Sequence, residues 1–149
     1  MSDRKIKLGK GFRLIRKDDS KYKITSGNAI MDSYDMRFFY QESLDKDNLV
    51  IVKDLNKKPV AVMEISLKEK FTIEFLKVDG SVQKKGIGTA MVLEAEKVAE
   101  QLGYKEIYLE SVKDAVMFYE KLGYIHYKES YDDPVWGTLY PIKKIIKLK

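Results

Sequence analysis

The sequence predicts a single α/β domain: a mixed, mostly antiparallel sheet of six to seven strands with helices on both faces. Three observations carry that expectation. The chain is 149 residues long, a size at which one hydrophobic core suffices. Between residues 49 and 78, three apolar runs are separated by short polar turns, the pattern of an antiparallel meander. A helical stripe over residues 87–102 then lies between two strands, as in a βαβ crossover.

Taken in order, residues 1–10 are polar and basic without periodicity and predict a flexible arm, leaving residues 11–149 for the domain. Phe12-Arg-Leu-Ile-Arg reads as a strand, and Asp18-Asp-Ser after it as a turn or helix start. Ile30, Met31, Tyr34, Phe38 and Phe39 recur at steps of three and four, which predicts one or two short helices between Ser26 and Ser43. Residues 49–52 and 60–67 are strands joined through Asn56-Lys-Lys, and residues 71–78 form the third strand. Ile87, Met91, Ala95, Val98 and Leu102 mark one face of a helix that Gly103 ends. Residues 107–110 are the next strand. Ser111, with Asp114 three residues on, reads as the N-cap of a helix running to Leu122 and stopped by Gly123. Residues 124–130 and 138–148 supply the last two strands, with Asp132-Asp-Pro-Val-Trp-Gly between them.

Composition removes several chemistries. The chain has no cysteine, so disulfides, thiolate metal sites and cysteine nucleophiles are excluded, and the single histidine, His126, cannot build a metal site alone. His126 reads as a sheet residue rather than a catalytic base. The aliphatic runs, such as residues 60–63, fall far short of the roughly 20 residues that span a bilayer. No apolar leader follows Met1, so the expected location is the cytoplasm, away from membranes. The net charge of +5 suits nucleic acid, a phosphorylated ligand or a solvated basic surface equally well. No nucleic-acid-binding motif accompanies the C-terminal lysines, so nucleic acid is not an expected partner.

The most informative segment is Gln83-Lys-Lys-Gly-Ile-Gly-Thr, between a strand and a helix N-terminus. Unpaired N–H groups there attract phosphate, Gly86 and Gly88 let a ligand approach, and Lys84 and Lys85 add charge. A P-loop fails on spacing, since five residues separate Gly80 from Gly86 and Ile87-Gly88 follows. A dinucleotide fingerprint starting at Gly86 meets Met91 where Gly or Ala belongs, although Glu110 stands at a workable distance.

The pattern Gln-x-x-Gly-x-Gly after a strand ending Leu76-Lys-Val resembles the pyrophosphate loop of the GNAT superfamily of N-acetyltransferases, which use acetyl-CoA. Ala115-Val-Met-Phe-Tyr-Glu-Lys-Leu-Gly-Tyr is similar to a second segment of that family, at the expected distance. Three residues before this alanine, where members often carry asparagine, stands Val112. The resemblance implies a splayed central strand pair, 71–78 and 107–110, with the cofactor in the gap. It implies contacts from Leu76, Lys77 and Val78 to the pantetheine arm and from Gln83, Lys84, Lys85, Gly86, Ile87, Gly88 and Thr89 to the phosphates, with Ser111, Phe118 and Tyr119 also on the cofactor.

The implied activity is direct transfer of an acetyl group from acetyl-CoA to a primary amine, small molecule or peptide, in a ternary complex without a metal. With no cysteine, an acyl-cysteine intermediate is excluded. The acetyl carbonyl would lie near the Val78 N–H. Tyr119 would protonate the departing sulfur, and Glu74, on one strand face with Thr72 and Leu76 unless a bulge intervenes, is the candidate base, with Glu64 and Glu110 as alternatives. Glu129, Asp132 and Asp133 suit a cationic acceptor, and Tyr131 and Trp136 suit a ring or a peptide. A non-catalytic acyl-CoA-binding module of the same fold is the rival reading, and a homodimer is compatible with either.

Overall fold

The structure, a computed structural model, describes residues 6–15, 48–80, 82 and 86–146. The helices predicted between Ser26 and Ser43, the turn or helix start at Asp18 and the residues Gln83, Lys84 and Lys85 lie outside the described residues.

Strands β1 (Phe12–Ile15), β2 (Leu49–Leu55), β3 (Lys58–Ser66) and β4 (Thr72–Val78) form an antiparallel meander. Helix α1 (Ile87–Gln101) crosses over to β5 (Glu106–Val112), which runs parallel to β4. A 3-10 turn (Lys113–Ala115) leads into the short helix α2 (Val116–Lys121), and β6 (Ile125–His126), β7 (Tyr131–Asp133) and β8 (Gly137–Ile145) complete an eight-stranded sheet. The strand order is β1-β2-β3-β4-β5-β8-β6, with β7 also on β8. The sheet is mixed and mostly antiparallel, as predicted.

Local chemistry accounts for most of the elements. At the β2–β3 hairpin, Asn56 and Lys57 carry φ of 52° and 66°, the two positive values that a tight type I′ turn requires. Met91, Val92, Ala95, Val98 and Ala99 are buried against Ile51, Met63, Ile65, Phe71 and Ile107, so α1 closes one face of the sheet. Both helices end where the glycine pattern predicts, before Gly103 and Gly123.

Four expectations are corrected. Ser111 does not cap a helix: β5 continues through Val112 by pairing with β8, the Ser111 hydroxyl donates to the Val112 carbonyl at 2.8 Å, and α2 starts only at Val116. Residues 124–130 are not one strand but contribute only β6. The acidic loop after them is half strand, because β7 pairs with β8 and Asp133 accepts the Val135 and Trp136 N–H groups at 2.9 Å each to close a hairpin. These two short strands raise the count among the described residues to eight. The arm expected to be free is docked over residues 6–10. Lys7 and Gln101 exchange two hydrogen bonds of 2.8 Å, the Gly9 N–H donates to buried Glu94 at 2.7 Å, and Ile6 and Leu8 pack on the core.

Candidate active site

The site begins with one extra residue. Phe75 faces Glu64 and Ile73 faces Ile65, so Glu74 is a bulge in β4 with no residue opposite it in β3. The simple alternation that would put Thr72, Glu74 and Leu76 on one face therefore does not hold. Ile73, Leu76 and Val78 face the α1 side with Ile65, Met63 and Ala61, whereas Thr72 and Phe75 face the other. Pairing of β4 with β5 is confined to Thr72–Tyr108 and Ile73–Leu109, immediately before the bulge. Beyond it the two strands part, and a cleft of about 700 Å³ opens between them.

Glu74, Leu76 and Lys77 line this cleft from β4, and Glu110, Ser111 and Val112 line it from β5. Along this stretch one edge of β4 is paired with β3, while register with β5 has ended. Alternate peptides of that second edge are directed at the cleft, as in a sheet edge that accepts an added strand. Val78 stands at the far end, its methyl packed beside Gly88.

Past Val78, α1 opens at Gly86, whose φ of 76° is a conformation that glycine tolerates and branched residues resist. Among the described residues no side chain caps the helix, and no acid occupies its first turn, so the N–H groups of Ile87, Gly88 and Thr89 carry partial positive charge. A Cβ on Gly86 would meet open space, whereas one on Gly88 would lie 3.4 Å from the Phe118 ring. This end fits a pyrophosphate. Phe118 braces the glycine turn, and the Ile87 side chain is buried in the core, leaving its main chain for a ligand.

Helix α2 brings two neighbouring tyrosines into contrast. Tyr124 is buried and donates a hydrogen bond to Glu96 at 3.1 Å, which Lys144 also contacts at 3.1 Å. Tyr119 is only 7% exposed and packs edge-on against Phe118 and Tyr124, yet its hydroxyl has no hydrogen-bond partner among the described residues. It lines the cleft. Burial pushes its pKa up to about 12, so it stays protonated throughout the physiological range.

Glu110 accepts a hydrogen bond from Tyr131, which pushes the Tyr131 phenol up to about 12, and Glu64 accepts one from Asn48 at 2.7 Å. Asp133 and Trp136 lie on the cleft wall, while His126, on edge strand β6, pairs with Glu120 at 2.9 Å and does not line the cleft. At the closed end, Lys70, Tyr108 and Tyr127 complete the lining. The Glu106 carboxyl is held low, first by the Tyr108 hydroxyl and then by Lys143. Sequence reasoning missed this group, whose one local signal is the alternation of Tyr108 with buried Ile107 and Leu109. Among the described residues no cluster of three or more His, Asp or Glu is placed to hold a metal, and no helix is long and apolar enough to cross a membrane.

The sequence profile of the acetyltransferase (GNAT) domain matches residues 22–134. The chain belongs to the GNAT family of acetyltransferases. Acetyl-CoA is the co-substrate of this family. Among solved structures, the GNAT chain is similar to the ribosomal-protein-S18-alanine N-acetyltransferase from Escherichia coli, with a TM-score of 0.70, 16% identity, and 93% of this chain and 96% of that chain covered. The IAA acetyltransferase from Bacillus cereus aligns at a TM-score of 0.65 and 14% identity over 91% of this chain and 98% of that one. An aminoglycoside 6′-N-acetyltransferase solved with coenzyme A gives 0.66 and 16% over 80% and 88%.

Proposed function

We propose that this GNAT acetyltransferase moves the acetyl group of acetyl-CoA directly to a primary amine in a ternary complex. The observation that carries the proposal is the buried Tyr119 hydroxyl, protonated and without a hydrogen-bond partner among the described residues, on the wall of the cleft between β4 and β5. A buried hydroxyl left unsatisfied costs about 1–3 kcal/mol, a penalty that a leaving sulfur would relieve.

Two of the structural neighbours are named as N-acetyltransferases, which agrees with a nitrogen acceptor. The amine arrives largely protonated, because its reference pKa is near the lysine value of about 10.4. Glu74, on the bulge where the strands part, takes that proton directly or through a water, with Glu110 across the cleft as the alternative. The nitrogen attacks the thioester carbonyl, and main-chain N–H groups on the cleft edge of β4, between Glu74 and Val78, stabilise the oxyanion. On collapse the carbon–sulfur bond breaks, the amide nitrogen loses its second proton, and Tyr119 supplies a proton to the sulfur. Burial disfavours the tyrosinate, so the proton is returned to Tyr119 from the product amine side through solvent in the cleft.

Incubation with acetyl-CoA and a panel of amines, with released thiol read by a dye, tests this reading. The chain has no cysteine and gives no background. Release that depends on the amine supports transfer, and an acetyl-CoA-induced thermal shift with no release for any amine would mark a binding module instead.

A further inference from the structure

The closed end of the cleft is lined by Tyr108, Tyr127 and Lys70, with two further lysines around the rings. The Tyr108 and Tyr127 rings meet edge-on at 5.4 Å. The Lys70 ammonium lies 4.0 Å from the Tyr108 centroid and 5.6 Å from that of Tyr127, Lys143 lies 5.7 Å from both, and Lys128 lies 5.6 Å from Tyr127. Against these three ammonium groups the described residues set one carboxylate in direct contact, Glu106, which Lys143 contacts at 3.1 Å and to which the Tyr108 hydroxyl donates. Lys70 is half-buried, held over a ring face, and forms no ion pair among the described residues. The Tyr127 hydroxyl likewise has no hydrogen-bond partner among them. The acids of the cleft differ, since Glu110 accepts from Tyr131 and Asp133 from two main-chain N–H groups.

Resting on the transferase reading, we propose that the acceptor is an amine carrying an oxyanion, carboxylate or phosphate, which Lys70 and Tyr127 bind while the amine lies at Glu74. The geometry sets a length. Tyr108 and Glu110 share one face of β5 two residues apart, about 7 Å at strand rise. Glu74 follows Thr72, the partner of Tyr108, at the same step along β4. An acceptor whose nitrogen and oxyanion are separated by about that distance bridges the cation end and the bulge. Simple diamines would place a second ammonium beside Lys70, which is unfavourable in a partly desolvated cleft.

The test compares matched acceptors: ω-amino acids of increasing chain length against alkylamines of the same length, and phosphoethanolamine against ethanolamine. We expect kcat/KM at least tenfold higher for the anionic member of a pair, with an optimum chain length in the ω-amino acids. Whichever pair shows the larger ratio distinguishes carboxylate from phosphate. Lys70→Met should collapse the ratio toward one through KM, and Lys70→Arg should retain it, since a guanidinium also binds oxyanions and stacks on a ring. The acetyl-CoA thermal shift verifies that each variant is folded. Preference for neutral amines or diamines, or a ratio unaltered in Lys70→Met, would overturn the proposal while leaving the transferase reading intact. No release from any acceptor would overturn both.

Discussion

Replacing Tyr119 with phenylalanine should make the protein more stable and less active, a pairing that few substitutions produce. The hydroxyl is buried, unpartnered among the described residues, and surrounded by Phe118 and Tyr124. Removing it recovers part of a desolvation cost of about 1–3 kcal/mol and leaves the ring contacts in place, so we expect a gain of about 1 kcal/mol. At this chain length that raises Tm by about 3 °C. Loss of the donor to the leaving sulfur should lower kcat by about 10²-fold, or about 2.7 kcal/mol of transition-state stabilisation, with little change in acetyl-CoA affinity. Tyr124→Phe is the matched control. It breaks the hydrogen bond to Glu96, so it should destabilise by about 2 kcal/mol and leave kcat near the parent value. Calorimetry and the thiol-release assay read both quantities. A Tyr119→Phe variant that turns over normally when chemistry is rate-limiting would refute the role of the hydroxyl, and one that is destabilised would refute the claim that it is unsatisfied.

Other outcomes follow from the same structure. Tyr119 has a folded pKa of about 12 against an ordinary value near 10, so the folded and unfolded chains both hold the proton below pH 10 and only the unfolded chain sheds it above. Stability should therefore fall as pH rises from 10 to 12, and Tyr119→Phe should remove about 2 kcal/mol of that fall in alkaline denaturant titrations. Gly86→Val places a β-branched residue at φ 76° at the mouth of α1 and should abolish the rise in Tm caused by acetyl-CoA. A correctly folded variant with the full shift would remove the phosphate from this loop. Lys57→Gly relieves a left-handed lysine in the β2–β3 turn and should stabilise by about 0.5–1 kcal/mol, read as a higher denaturation midpoint with unchanged slope.

What the sequence revealed depended on the range of the interactions involved. The α1 stripe, the β2–β3 turn and the glycine stops are local, and the letters specified them. Ser111 misled because its cap chemistry competes with a seven-residue ladder to β8, a partner some thirty residues away that sequence spacing does not register. The docked segment 6–10 was missed for a similar reason, since the contact that holds it, from the Gly9 N–H to Glu94, spans 85 residues. Tyr119 was legible only through the motif around it; spacing alone favours a core tyrosine, and Tyr124, five residues on, is one. The Lys70–Tyr108–Tyr127 group joins three separate elements, so only strand pairing could bring it together.

The bulge at Glu74 ties these parts together and can be removed. Ile73, Leu76 and Val78 already face the α1 core, at spacings of three and then two residues. Deleting Glu74 would turn this into a regular two-residue alternation, with each core side chain still on its own face. No apolar residue would be exposed, and β4 would be free to continue its ladder along β5 beyond the present two pairs. The fold should therefore survive, with Tm equal to or above the parent value, while the cleft closes and acetyl-CoA loses its effect on Tm. Glu74→Ala, which keeps the extra residue but not its carboxylate, should still respond to acetyl-CoA and lose turnover alone. If the deletion variant binds acetyl-CoA like the parent, the splay of β4 from β5 is not created by the bulge, and the cleft must be held open by other contacts.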